Sequence, residues 1–207
     1  MISDIIDQEK QSELTPQAVL EDLMEGNKRF VENRMHSRDY ASQINKTSGG
    51  QWPQAVILGC IDSRVPVETV FDQGVGDVFA ARVAGNFENT DILGSMEYSC
   101  KVAGSKLVMV LGHEACGAVK SACDHVELGN ITHLLSNIQP AVEATETSGE
   151  RNSQNADFVA GVVQKNVELT LVRIREKSPI LKEMEENGEI KIVGAVYSIS
   201  TGKVTVL

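Results

Sequence analysis

Long apolar runs are missing from this chain: no stretch approaches the ~20 residues that a membrane-spanning helix requires. Cysteine is sparse, at four in 207 residues. That is too few for a disulfide scaffold, and it favours free or metal-binding thiols in a reducing compartment. Positive charge is in deficit too, with 19 Lys and Arg against 29 Asp and Glu and a formal net charge of -10. Such a balance excludes nucleic acid as the expected partner, because phosphate contacts need clustered basic residues. Any anionic substrate must find a local positive site. The opening "MISDIIDQEKQSELTP" lacks a basic start followed by a long apolar stretch, so it is not a secretory signal and a cytoplasmic location is expected. Internal repeats and low-complexity segments are also lacking.

What is present is ordinary in amount and informative in order. The length fits a single domain over residues 1–207. Residues 1 to about 50 read as an N-terminal helical arm and connector, and 51–207 as an α/β core. Thr15-Pro16 supplies a hydroxyl cap and a first-turn proline, and Val19, Leu20, Leu23, Phe30 and Val31 follow at helical spacing. "MHSRDYASQINKTSGG" reads as a polar connector. "AVILGCI" and "KLVMVLG" are continuously apolar, as strands covered on both faces are. "DVFAARVAG" reads as a further strand, and helices are expected over 90–104, over 131–144 with a kink near Pro140, and from Asp157 to Lys177. The last helix carries its apolar stripe on Val159, Val162, Val163, Val167, Leu171 and Ile174. "EIKIVGAVYSI", a turn at "STG" and "KVTVL" close the chain as a hairpin. Strands alternate with helices, so the expected fold is α/β, a mostly parallel central sheet flanked by helices with an antiparallel edge strand.

Two of the strands end in chemistry rather than in turn residues. One runs into Cys60-Ile61-Asp62-Ser63-Arg64 and the other into "LGHEACGAV", with His113 and Cys116. Both ends fall at the carboxyl edge of the sheet, where open α/β folds place their ligands. Two thiolates and an imidazole form a soft tetrahedral set suited to zinc, with a fourth position for water or Asp62. A blander reading stands beside this one. Cys60 also reads as a small buried hydrophobe, His113 as a satisfied core histidine, and Asp62 with Arg64 as a structural salt bridge. Cys100 lies on an apolar stripe and reads as core. The Cys123–His125 pair has no further ligands nearby and does not make a second metal site.

"CIDSR" followed by "GHEACGAV" resembles the β-class carbonic anhydrases, whose signatures are C-x-D-x-R and H-x-x-C. The resemblance runs from about Pro16 to the C-terminus. It implies that Cys60, His113 and Cys116 are ligands of one zinc ion per chain, and that Asp62 and Arg64 form a catalytic dyad. In a closed form Asp62 takes the fourth position; in the active form Arg64 draws it away. The implied reaction is the reversible hydration of carbon dioxide to bicarbonate and a proton, through a zinc-bound hydroxide. The resemblance further assigns Gln51, nine residues before Cys60, to substrate binding from across a dimer interface. It assigns Phe79 and Tyr98 to the walls of a narrow apolar pocket, and it implies a homodimer or a tetramer of dimers. Tyr98 stands off its own helix's core stripe, as a pocket or subunit contact requires.

This chain also departs from the family. Glu114 stands between two ligands where many relatives carry a small polar residue. "RVAGN" replaces the commoner R-N-x-A-N. Ile57 occupies the position at which some relatives have the tryptophan of an inhibitory bicarbonate pocket. The alternative readings are a carbonyl sulfide or carbon disulfide hydrolase on the same fold, and a non-catalytic zinc or bicarbonate sensor.

Overall fold

The computed structural model describes residues 1–207. Its strands are β1 (Ala55–Gly59), β2 (Val78–Arg82), β3 (Leu107–His113), β4 (Lys191–Tyr197) and β5 (Val204–Val206). They form one sheet in the order β2-β1-β3-β4-β5. All pairings are parallel except that of β4 with β5. The helices are α1 (Gln8–Glu13), α2 (Pro16–Val31), α3 (Tyr40–Thr47), α4 (Val67–Val70), α5 (Thr90–Glu97), α6 (Gly117–Cys123), α7 (Gly129–Ser136), α8 (Gln139–Ala144), α9 (Ala156–Lys177) and α10 (Pro179–Glu186). The expected α/β architecture with its antiparallel edge is what the chain adopts. None of the helices is long and apolar enough to cross a membrane.

Every residue of β1 and β3 is buried, which is why both read as unbroken apolar runs. Alternation along the strands feeds two layers. Ala55, Ile57, Leu107, Met109 and Leu111 pack with Val19 and Leu23 of α2 on one face. Val56, Leu58, Val108 and Val110 pack with Ile174 of α9 and Leu181 of α10 on the other. Helix α2 starts where the sequence predicts, with the Thr15 hydroxyl accepting from Ala18 N–H at 3.2 Å. It is built into its own chain, because Asn27 donates to the carbonyls of Val70 (3.1 Å) and Gly202 (2.8 Å) and accepts from Val204 N–H (2.8 Å).

Several local expectations need correction. The connector over 35–50 contains α3, which begins from a cap rather than an apolar stripe: Asp39 accepts from Ser42 N–H at 3.1 Å. The helix expected over 90–104 is α-helical only to Glu97. It continues as a π-helical turn, Tyr98–Val102, closed by Ala103 N–H donating to the Tyr98 carbonyl at 2.9 Å. The kinked helix over 131–144 is two helices, with Pro140 in the first turn of α8, where its missing N–H costs nothing. Strand β1 stops at Gly59, so Cys60 to Arg64 form a turn instead of extending the strand. Helices α1 and α10 have no counterpart among the expected elements, although α10 buries Leu181 and Met184 one turn apart.

The long helix α9 is seated by two glycines. A Cβ on Gly112 of β3 or Gly194 of β4 would lie 2.7 Å from a methyl of Val167, so the two bare positions form a notch that receives Val167. Gly112→Ala should fill that notch and destabilise the fold by about 1–3 kcal/mol through overpacking. The expected readout is a lower urea midpoint with an unchanged slope.

Candidate metal centre

Parallel pairing of β1 with β3, in the register Gly59↔Leu111, brings the two strand ends to one edge of the sheet. Cys60 follows β1 directly, His113 is the last residue of β3, and Cys116 is the N-cap of α6. Between His113 and Cys116 the chain turns sharply, with Ala115 in the left-handed region at φ 52°. One ligand atom from each of Cys60, His113 and Cys116 lies within 4.8 Å of the others, and all three residues are buried. It is the one such cluster of metal-binding side chains in the chain.

The donor set fits a zinc ion. The two sulfurs are 3.9 Å apart, against roughly 3.8 Å for two thiolates held ~2.3 Å from one tetrahedral ion. His113 Nδ1 lies 2.9 Å from the Glu114 carbonyl oxygen. A carbonyl can only accept, so Nδ1 carries the hydrogen and Nε2 offers its lone pair. That Nε2 is buried without any partner, an orphan atom that a cation at the cluster would satisfy. The Glu114 carboxylate accepts from the Ser198 hydroxyl at 2.8 Å, which pins the carbonyl's own residue to the β4–β5 turn. Cys60 Sγ contacts Cys116 Sγ and accepts from Gly85 N–H, the latter at 3.3 Å. The contact with Cys116 holds the Cys60 thiol well below its ordinary range, against the opposing effect of burial. The same contact, with burial, raises Cys116.

Asp62 and Arg64 meet across the turn that follows β1. Arg64 Nε donates to Asp62 Oδ1 at 2.9 Å and its second guanidinium nitrogen to Oδ2 at 2.7 Å, while Arg64 N–H also donates to Oδ1 at 2.9 Å. These bonds hold the Asp62 carboxyl well below the usual carboxylate range. Asp62 is thereby engaged by Arg64, yet its Oδ2 stays 3.9 Å from His113 Nε2, at the border of the cluster.

Three other residues of the sequence pattern stand elsewhere in this chain. Gln51 is exposed in the segment that precedes β1, whereas Cys60 follows the end of that strand, and the five residues of β1 span ~16 Å at 3.3 Å per residue. Phe79 pairs with Val56 near that same starting end. Its ring meets Tyr98 edge to face, with centroids 6.3 Å apart. The two rings line an open groove of ≈ 690 Å³ along edge strand β2 together with Val56 and Ile92. Tyr98 is 54% exposed. Cys100 and Cys123 are buried away from the cluster, and burial pushes their thiols up to about 12 and about 11.

Arg82, Gly85 and Asn166 carry no site assignment in the sequence, although the first and second lie within "RVAGN". Arg82 donates to the carbonyl of Cys60 at 2.8 Å and to that of Asp62 at 2.6 Å, gripping the turn that carries the thiol. No residue pattern announces a contact to backbone oxygen. Asn166 left a faint signal as a polar residue on the valine stripe of α9, and Gly85 as a departure within "RVAGN". Arg82→Met should weaken metal binding about 10–100-fold, as loss of a supporting contact does, measured by competition with a chromophoric chelator.

A family model described as carbonic anhydrase matches residues 55–204. Carbonic anhydrase 2 of Mycobacterium tuberculosis is 35% identical over 190 residues, covering 91% of this chain and 91% of that protein. Among solved structures, the β-carbonic anhydrase of Coccomyxa, in complex with acetazolamide, superposes with a TM-score of 0.71 at 25% identity, over 91% of this chain and 86% of that one. A β-carbonic anhydrase of Sordaria macrospora, described as tetrameric, shares the fold with a TM-score of 0.70 at 23% identity, over 91% of this chain and 96% of that one.

Proposed function

This chain belongs to the β class of the carbonic anhydrases, and from that premise we propose that Cys60, His113 and Cys116 hold one zinc ion beside which carbon dioxide is hydrated to bicarbonate. The enzyme is a lyase, a carbonate dehydratase. The observation that carries the assignment is the convergence of two sulfurs and an unpartnered imidazole nitrogen in one buried cluster. Zinc bound there lowers the pKa of a coordinated water to about 7 and so supplies a nucleophile at neutral pH.

The protein's own groups supply the rest. Asp62, kept ionised by Arg64, is an acceptor only. A water or bicarbonate hydroxyl beside the cluster must therefore donate its O–H to Asp62, and for the water this leaves an oxygen lone pair free to face the carbon of carbon dioxide. Arg64 spends two guanidinium nitrogens on both oxygens of Asp62, so the carboxylate is not drawn onto the ligand set. This geometry supports an open centre at rest, with Asp62 and Arg64 as the catalytic dyad.

Gln51, Phe79 and Tyr98 complete the site from a second copy in this reading. Within one chain they lie at the opposite end of β1 from Cys60. Ala80 and Arg82 of edge strand β2 are exposed, and Tyr98 presents an aromatic ring to solvent beside it. An apolar wall so placed serves a neighbour's cluster, and the tetrameric state described for the Sordaria macrospora relative agrees with a multi-subunit assembly. The unit we propose is a homodimer or a tetramer of dimers.

Stopped-flow hydration of carbon dioxide, run with metal analysis of the same sample, tests the reading. One zinc per chain and fast hydration are expected. Faster turnover of carbonyl sulfide with negligible hydration would overturn it. Cys60→Ser should lose the metal and the activity together. Arg64→Ala should keep its zinc and lose about 10–100-fold in kcat/KM, whereas a sensor or scaffold would be indifferent to the change.

A further inference from the structure

The Cys60 sulfur is supported by a residue from a distant helix. Asn166 sits in the middle of α9 and is 1% exposed. Its Nδ2 donates to the Gly85 carbonyl at 2.8 Å. Gly85 in turn donates its N–H to Cys60 Sγ at 3.3 Å. The two contacts lie on opposite sides of one residue whose conformation is special. Gly85 has φ +82° and is the third residue of a turn closed by Asn86 N–H donating to the Val83 carbonyl at 2.9 Å. A positive φ at that position marks a type II turn and favours glycine. A side chain would also not fit, since a Cβ on Gly85 would lie 2.4 Å from Ile138 Cδ1. Holding the carbonyl of such a residue fixes the turn, and the turn fixes where its N–H points.

Packing alone does not explain an asparagine here. Its neighbours on the buried face of α9 are Val162, Val163, Val167 and Thr170, and a leucine of similar volume would serve a core. Asn166 instead leaves its Oδ1 buried without a partner, a cost that a purely apolar residue would avoid. Only the donor half of its amide is used, and it is used on Gly85.

We propose that Asn166 is a positioning residue for the metal centre: by gripping the Gly85 carbonyl it aims the Gly85 N–H at Cys60 Sγ. The inference rests on the assignment of Cys60 as a metal ligand. A hydrogen bond to a ligating thiolate withdraws electron density from the sulfur, so the ion it holds stays more electron-poor; such supporting contacts tune metal sites strongly. The Asn166 donor thus acts on the ion through two intervening groups, without touching substrate.

Cobalt(II)-substituted protein reads this directly, through the sulfur-to-cobalt charge-transfer band. Asn166→Leu should move that band to lower energy, because the thiolate regains electron density, and should weaken cobalt binding about 10–100-fold in chelator competition. Asn166→Ser is too short to reach Gly85 and should give the same shift if leucine prevents folding. Arg173→Met serves as the control. It breaks the pairing of Arg173 with Glu88 (2.9 Å) on the same loop while leaving Gly85 held, and should keep the wild-type band. A folded Asn166 variant with an unshifted band, whether or not its melting temperature falls, would overturn the inference alone. Wild-type protein that takes up neither zinc nor cobalt would instead overturn the metal assignment on which the inference rests.

Discussion

The candidate metal centre depends on one constraint, the parallel pairing of β1 with β3. Neither strand carries a complete site, and no local segment could assemble one, because His113 and Cys60 come from different strand ends. The register places the residue after Gly59 beside the end of β3, and both strands are buried along their whole length. A slip would displace apolar side chains as well as Cys60 and His113, so the hydrophobic effect that fixes the sheet also fixes how these side chains meet. The cluster formed this way is itself buried, and a buried thiolate is costly without a compensating charge or hydrogen bonds. The Gly85 N–H and the neighbouring sulfur act against that cost, as a cation held at the cluster would.

Charge around the centre is arranged against the bulk of the molecule. The chain is strongly acidic overall, yet two arginines are spent on a single short turn. Arg64 neutralises Asp62, and Arg82 binds the carbonyls of Cys60 and Asp62. Local positive charge of this kind lets a reaction that ends in an anion proceed on an acidic protein.

Legibility in the sequence followed the chemistry that each residue performs. Cys60, Asp62, Arg64, His113 and Cys116 stand out because their side-chain type is what the proposed role requires, and because they come where apolar runs end. Arg82 and Asn166 act on backbone carbonyls, a task open to any donor of suitable reach, so residue type alone does not mark them. Gln51, Phe79 and Tyr98 are unremarkable by periodicity and enter only through family resemblance. One chain does not bring them to its own cluster. The strands were readable because full burial writes itself as an apolar run. Helix α3 was not, because it starts from the Asp39 cap and buries only Gln43. The expected strand "AVILGCI" ends early, at Gly59, for a related reason: Asp62 accepts from Arg64 N–H, and a side chain that bonds the backbone two residues on bends it into a turn.

The seat of α9 has a consequence for how errors spread through the molecule. Val167 drops into the gap above Gly112 and Gly194, and the adjacent residue is Asn166, so the helix is indexed at the point from which it reaches toward the metal loop. On the positioning role proposed for Asn166, the two glycines work as a vernier: a fraction of an ångström lost at their position would become misalignment at a sulfur. Tolerance to substitution in this protein is therefore a matter of mechanical linkage to the cluster rather than of distance from it.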